Sequence, residues 1–211
     1  IKSLNTYAGL SGTYTIGGNS PDFARFSDAV TVLNNGGVTD SAIFDVRTGT
    51  YQEQIHIDEF PGTGCDVPVI FRSESSDTAD VLIQYSANSD TNYTVQLDGA
   101  KGVTFEYLTI QSLNNSAGRV IDLRNNASCN AFKNNRFMGI ETSNYDNDKA
   151  IVYSPSNSSA DENDSLNIFL YNTIEQGSYG MDLSGYAAGE ENVEWGNVIN
   201  HNRFISQSYR G

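Results

Sequence analysis

The chain has 211 residues and an apolar content of 38%, enough for one sizeable domain with its own core. Its net charge of −14, from 12 basic and 26 acidic residues, leaves no basic stripe to release counterions, which disfavours nucleic acid or an anionic membrane surface as partner. No apolar run is long enough to span a bilayer, and the many Gly and Tyr with few Pro (19, 12 and 4) are the composition of a folded, β-rich protein.

In chain order, a short strand in YTIGG leads into SPDFARFSDAVTVLNNGG, which reads as a helix over 20–36. Ser20 is its N-cap and Pro21 its first residue, Phe23, Phe26, Val30 and Leu33 share one face, and Gly36-Gly37 stop it. Irregular strands follow from residue 42, in AIFDVRTGTYQEQIHI and then VPVIFR and VLIQY. Next come four alternating pairs: Val95-x-Leu97, Ile121-x-Leu123, Ile151-x-Tyr153 and Met181-x-Leu183, spaced by 26, 30 and 30 residues. After each pair stands one word of the form apolar-x-x-Asn-x-apolar: Phe132/Asn135/Phe137, Phe169/Asn172/Ile174 and Ile199/Asn202/Phe204. FEYLTI is the same word with Leu108 in the Asn slot, between Phe105 and Ile110.

Units of this size cannot bury an inner face alone and must stack. The expected architecture is an all-β parallel β-helix, in which each strand hydrogen-bonds to its counterpart about 4.8 Å away in the next coil. Phe132, Phe169 and Ile199 then line one interior row, and Asn135, Asn172 and Asn202 form a corner ladder that satisfies bent backbone. The amphipathic helix covers the open apolar end that such a stack would otherwise expose. The expected organisation is a single domain over 1–211, with a capping helix at 20–36 and coils over 42–211. Because the chain starts at Ile1 and stops inside a repeat, it reads as a piece of something longer, with further C-terminal coils or a partner completing the stack. Cys65 and Cys129 have no metal-ligand spacing, and whether they pair is left open.

These features resemble the pectin-lyase-like right-handed parallel β-helix family. The first third is similar to the N-terminal region of pectin methylesterases, through YTIGGNSPDFARFSDAV and through Gly49, Tyr51 and Glu53 in FDVRTGTYQEQIHI, which match a Gly-x-Tyr-x-Glu word. The resemblance implies the fold. It does not extend to the esterase activity, because the family's paired catalytic aspartates and Gln-rich oxyanion words have no counterpart in GRVIDL, GIETSNYDNDKA or YGMDLSG. The adjacent-aspartate and Gly-His-Gly words of polygalacturonases are missing as well.

With Ile121 and Leu123 inward, Asp122 and Arg124 face outward, as does Asp182, and stacking places Gln96, Asp122, Val152 and Asp182 in one outer column. Asp122, Arg124 and Asp182 are the candidates for chemistry, although two rungs, about 10 Å, exceed the usual separation of a glycosidase carboxylate pair. The alternative is a solvated strand face. Two long turns, SPSNSSADENDSLN and SGYAAGEENVEW, fall at the same place in adjacent coils and gather Asp161, Glu162, Asp164, Glu190, Glu191 and Glu194. Such hard oxygen ligands suit Ca²⁺; the alternative is a hydrated acidic ridge. Tyr145, Tyr153, Tyr186 and Trp195 in or near these turns are candidate sugar-stacking residues, against a plain packing role. His56 and His201 have no evident partner in the sequence and read as rung or surface residues.

The preferred functional expectation is a secreted or cell-surface bacterial β-helix module that binds polysaccharide without a catalytic site of its own. The alternatives are a polysaccharide lyase or carbohydrate esterase whose site is completed by further coils, and a structural stalk or adhesin domain.

Overall fold

The structure, a computed structural model, describes residues 7–155, 163–184 and 194–208. The described residues form a parallel β-solenoid of three sheets. One has seven strands: Leu10–Ile16, Val38–Val46, Val69–Ser73, Val103–Glu106, Ala131–Lys133, Ile168–Leu170 and Val198–Asn200. A six-stranded sheet contains Gly49–Tyr51, Val81–Tyr85, Thr109–Ser112, Arg136–Met138, Thr173–Glu175 and Arg203–Ile205. The five-stranded sheet contains Ile55–Asp58, Val95–Asp98, Ile121–Arg124, Val152–Ser154 and Met181–Leu183. Every neighbouring pair is parallel, and each complete coil contributes one rung to each sheet.

The expected interior rows form. Phe132 is level with Phe169, and Phe169 with Ile199; Phe137, Ile174 and Phe204 make a second row. The first row continues upstream as a stack of Phe44, Phe71, Phe105, Phe132 and Phe169, with successive ring centroids 4.5, 5.4, 5.7 and 4.9 Å apart. All five rings are fully buried, and they are the spine of the core.

The Asn ladder forms too. The backbone N–H of Leu108 donates to Asn135 Oδ1, that of Asn135 to Asn172 Oδ1, and that of Asn172 to Asn202 Oδ1, at 2.9–3.0 Å. Each side-chain amide returns a bond to the preceding coil, on the carbonyls of Phe105, Phe132 and Phe169. A second ladder of the same kind runs through Asn130, Asn167 and Asn197, taking the N–H groups of Val103, Asn130 and Asn167. Its signal was present in the sequence, because an Asn precedes each first-ladder Asn by the same interval in NAFKNN, NIFLYN and NVINHN.

The capping helix is shorter than expected, Phe26–Gly36, and the strands begin before residue 42. Ser20 is not its cap but sits at φ 50°, and Arg25 at the N-cap position offers no side-chain bond. Tertiary contacts hold the Pro21–Arg25 segment out of the helix. Asp22 accepts from the backbone and hydroxyl of Thr15, while Phe23 bridges Ile16 and packs on Tyr14 and Phe44. The helix start is capped instead by Glu53, which accepts from the N–H groups of Phe26 and Ser27 at 3.1 and 2.9 Å. Tyr51 of the same word meets Phe26 edge-on, and its hydroxyl donates to the Arg47 carbonyl at 2.8 Å with the Ile16 carbonyl 3.2 Å away. The Gly-x-Tyr-x-Glu word therefore clamps the cap onto the first coil. The buried face of the helix is Phe26, Ala29, Val30 and Leu33, without Phe23, and Gly37 at φ 66° closes its C-terminus as expected. Packed beside Ile55–Asp58, the helix stands where another rung of the five-stranded sheet would lie.

Cys65 and Cys129 form a disulfide, a pairing the sequence left open.

Candidate functional site on the five-stranded sheet

Alternation turns Ile55, Val95, Leu97, Ile121 and Leu123 into the core and leaves the residues between them on the outer face. The register sets His56, Gln96, Asp122, Tyr153 and Asp182 in one outer column. This corrects one rung of the expected column, where Tyr153 replaces Val152. Ala150, Ile151 and Val152 are consecutive and all buried, so apolar alternation could not choose the phase of that strand. A one-residue shift exchanges the two faces. Asp122 and Asp182 are two rungs apart, with Tyr153 between them.

Asp122 is on the outer face, yet it is completely enclosed rather than solvated. Arg124 Nε reaches both carboxylate oxygens at 3.1 Å, Gln96 Nε2 donates at 3.2 Å, and Arg119 forms a longer ion pair at 3.9 Å. Burial pushes its carboxyl above the ordinary range, against the pull of the two guanidinium groups. Each of these partners is a donor, so the group they hold is a carboxylate that only accepts. Arg119 in turn binds Asp148 at 3.0 Å and lies 3.7 Å over the centre of the Tyr153 ring, closing one of its faces.

Beside this knot is a cleft of about 330 Å³, lined by His56, Tyr93, Gln96, Asp98, Arg124 and Asn125 among others. His56 Nε2 is 2.8 Å from Asp58 Oδ1, and the Tyr93 hydroxyl is 3.2 Å from Nδ1, so His56 has partners that the sequence did not disclose. Asn125 Nδ2 holds Asp98 at 2.5 Å. The ligand atoms of His56, Asp58 and Asp98 lie within 4.8 Å of one another, one imidazole and two carboxylates that could take a divalent cation, with Tyr93 fixing the ring from behind.

A second cluster lies at the end of the sheet. Ser154 Oγ is 2.7 Å from Asp164 Oδ2 and 2.5 Å from Glu194 Oε1, while Asp164 Oδ1 accepts the Ala127 N–H and Glu194 Oε2 accepts from Asn197. A hydroxyl donates one hydrogen only, so one of the two carboxyls must be protonated. Desolvation, helped by the charge of Glu194, raises Asp164 to about 7, so below that pH its carboxyl has a proton to give Ser154 while Ser154 donates to Glu194. Burial raises Glu194 as well, with Asp182 adding repulsion. Of the six acids expected to hold Ca²⁺, these two are bridged in this way, and Asp161, Glu162, Glu190 and Glu191 lie outside the described residues.

Of the expected sugar-stacking residues, Tyr145 and Trp195 are exposed (68% and 63%), Tyr153 is covered by Arg119, and Tyr186 lies outside the described residues.

Together, register, ladders and capping helix define a parallel β-solenoid with a polar cleft on its five-stranded sheet. No protein-family model matches the chain, and no curated protein sequence matches it. Among solved structures it is similar to pectin methylesterase from Aspergillus niger in two forms. The form retaining an N-acetylglucosamine stub shows 15% identity and a TM-score of 0.38, covering 97% of this chain and 87% of the other. The deglycosylated form shows 15% identity and a TM-score of 0.38, covering 96% and 86%.

Proposed function

We propose that the protein is a polysaccharide-binding β-solenoid module that works outside the cell, secreted or at the cell surface. The observation that carries this reading is the cleft beside Gln96 and Arg124, where an imidazole, a phenol, three amides, two carboxylates and a guanidinium converge on one concave surface. Such fixed planar donors and acceptors are what hydroxyl-rich ligands require. Asp122 favours binding over catalysis, because a carboxylate with no exposure and with its oxygens engaged by donors does not reach a substrate. The Cys65–Cys129 disulfide supports an oxidising compartment.

Affinity electrophoresis through gels containing individual soluble polysaccharides tests the proposal. Retardation on at least one polymer, weakened by Asp98→Ala or His56→Ala, is expected; free migration in all of them would overturn it. Comparing melting temperature in EDTA and in added Ca²⁺ tests the acidic turns as a cation site, since a ligand bound only by the folded form raises stability.

A further inference from the structure

The corner between the seven- and six-stranded sheets carries a feature unrelated to that cleft. The last four coils pass it through one left-handed residue placed directly before the ladder position: Tyr107 (φ 56°), Asn134 (54°), Tyr171 (57°) and His201 (55°). That backbone region suits Gly and Asn and penalises bulky side chains, so tyrosine in two coils needs a reason beyond the turn. Tyr171 is 56% exposed, and the His201 ring lies against it at a tilt of 32° with centroids 4.8 Å apart. Two residues after each of these positions, Thr109, Arg136, Thr173 and Arg203 stand in register as a second outer row. Tyr107, Asn134 and Tyr171 of the first row and Arg136, Thr173 and Arg203 of the second border a groove of about 660 Å³, while Thr109 is buried with its hydroxyl on the Thr78 carbonyl. Glu175 pins Arg136 through two bonds of 3.0 and 2.8 Å, whereas Arg203 makes no ion pair among the described residues.

The groove is periodic. Tyrosine at the corner and arginine in the second row alternate from coil to coil, so Tyr107 and Tyr171, like Arg136 and Arg203, are two rungs apart, about 10 Å. One rung is close to the length of one sugar ring in an extended chain. Aromatic faces alternating with guanidinium donors thus match a ligand that offers apolar ring faces and hydroxyls in turn. The charge balance favours a neutral chain, because Arg136 is already neutralised by Glu175 and a protein of net charge −14 repels a polyanion.

We infer that this corner groove binds an extended, uncharged pyranose chain lying along the solenoid axis, a second carbohydrate site that takes only its ligand class from the function proposed above. The test is affinity electrophoresis on xylan, a soluble β-glucan and polygalacturonate, using the wild-type protein, the double variant Tyr107→Asn/Tyr171→Asn, and Asp98→Ala in the cleft. Asn already occupies the same corner at Asn134, so the double variant keeps the turn, and its melting temperature should not fall. The expected result is retention on a neutral polymer that weakens on the order of tenfold in the double variant, the loss of two ring contacts. Retention lost in Asp98→Ala but untouched in the double variant would overturn the groove and leave the cleft standing. Retention on polygalacturonate alone would overturn the neutral-chain assignment, and no wild-type retention on any polymer would overturn both sites.

Discussion

Replacing Asn172 by Leu tests the idea that the ladder, and not only the core, holds the coils in register. Leucine fits the slot, since Leu108 fills it two coils earlier and is fully buried. What changes is hydrogen bonding. The Asn135 N–H loses its acceptor, the Phe132 carbonyl loses one donor, and Asn202 Oδ1 loses one of its two. A buried backbone donor left without a partner costs about 1–3 kcal/mol, and the weakened carbonyl adds a smaller amount. Subtracting the gain from extra buried hydrocarbon leaves a loss of about 1–2 kcal/mol. At roughly 2–4 °C per kcal/mol for a chain of this size, the melting temperature should fall by about 2–8 °C. Guanidinium unfolding followed by circular dichroism should show a lower midpoint with an unchanged slope. A loss below about 0.5 kcal/mol would refute the reasoning, because it would mean that water or backbone adjustment satisfies Asn135 as well as the side chain does. Tyr171→Asn, one position earlier, should move stability the other way by up to about 1 kcal/mol, by relieving a left-handed tyrosine.

Three further outcomes follow from the same contacts. Asp164 holds its proton to about pH 7 when folded and to about 3.8 when unfolded, so the folded form binds more protons between those values. Stability should therefore be greatest at the acid end of that window and decline as pH rises through it, by at most about 4 kcal/mol. Asp164→Asn should flatten the dependence, read as unfolding midpoints at a series of pH values. The disulfide closes a loop with a sequence separation of 64, so Cys65→Ser/Cys129→Ser should lose about 4 kcal/mol by chain entropy, and dithiothreitol should lower the melting temperature of the wild type alone. Asp122→Asn leaves Arg119 and Arg124 without their shared anion and should cost about 3 kcal/mol, the low end for a broken buried pair because Arg124 is partly solvated. Calorimetry against an exposed-carboxylate variant such as Asp77→Asn checks it.

Much of the architecture was legible before any coordinates. Phe132, Phe169 and Ile199 repeat at the length of one winding, and a repeating length with unpaired inner faces admits few packings besides a stack. The Asn ladder was readable for a similar reason: an amide recurring between inward residues needs a partner, and the next coil supplies it. The helix start was not legible. Ser20-Pro21 has good local capping chemistry, but Thr15, Tyr14 and Phe44 hold Asp22 and Phe23 elsewhere, and the cap comes from Glu53, far along the chain.

Periodicity by itself thus determined the stack, its interior rows and its corners, because those depend on spacing along one chain. Tertiary structure alone decided the phase of the strand at Val152, the Cys65–Cys129 pairing, the burial of Asp122 and the bridging of Asp164 and Glu194 by Ser154. Each of these depends on what a neighbouring coil places within hydrogen-bonding distance, and no spacing within a single repeat contains that information.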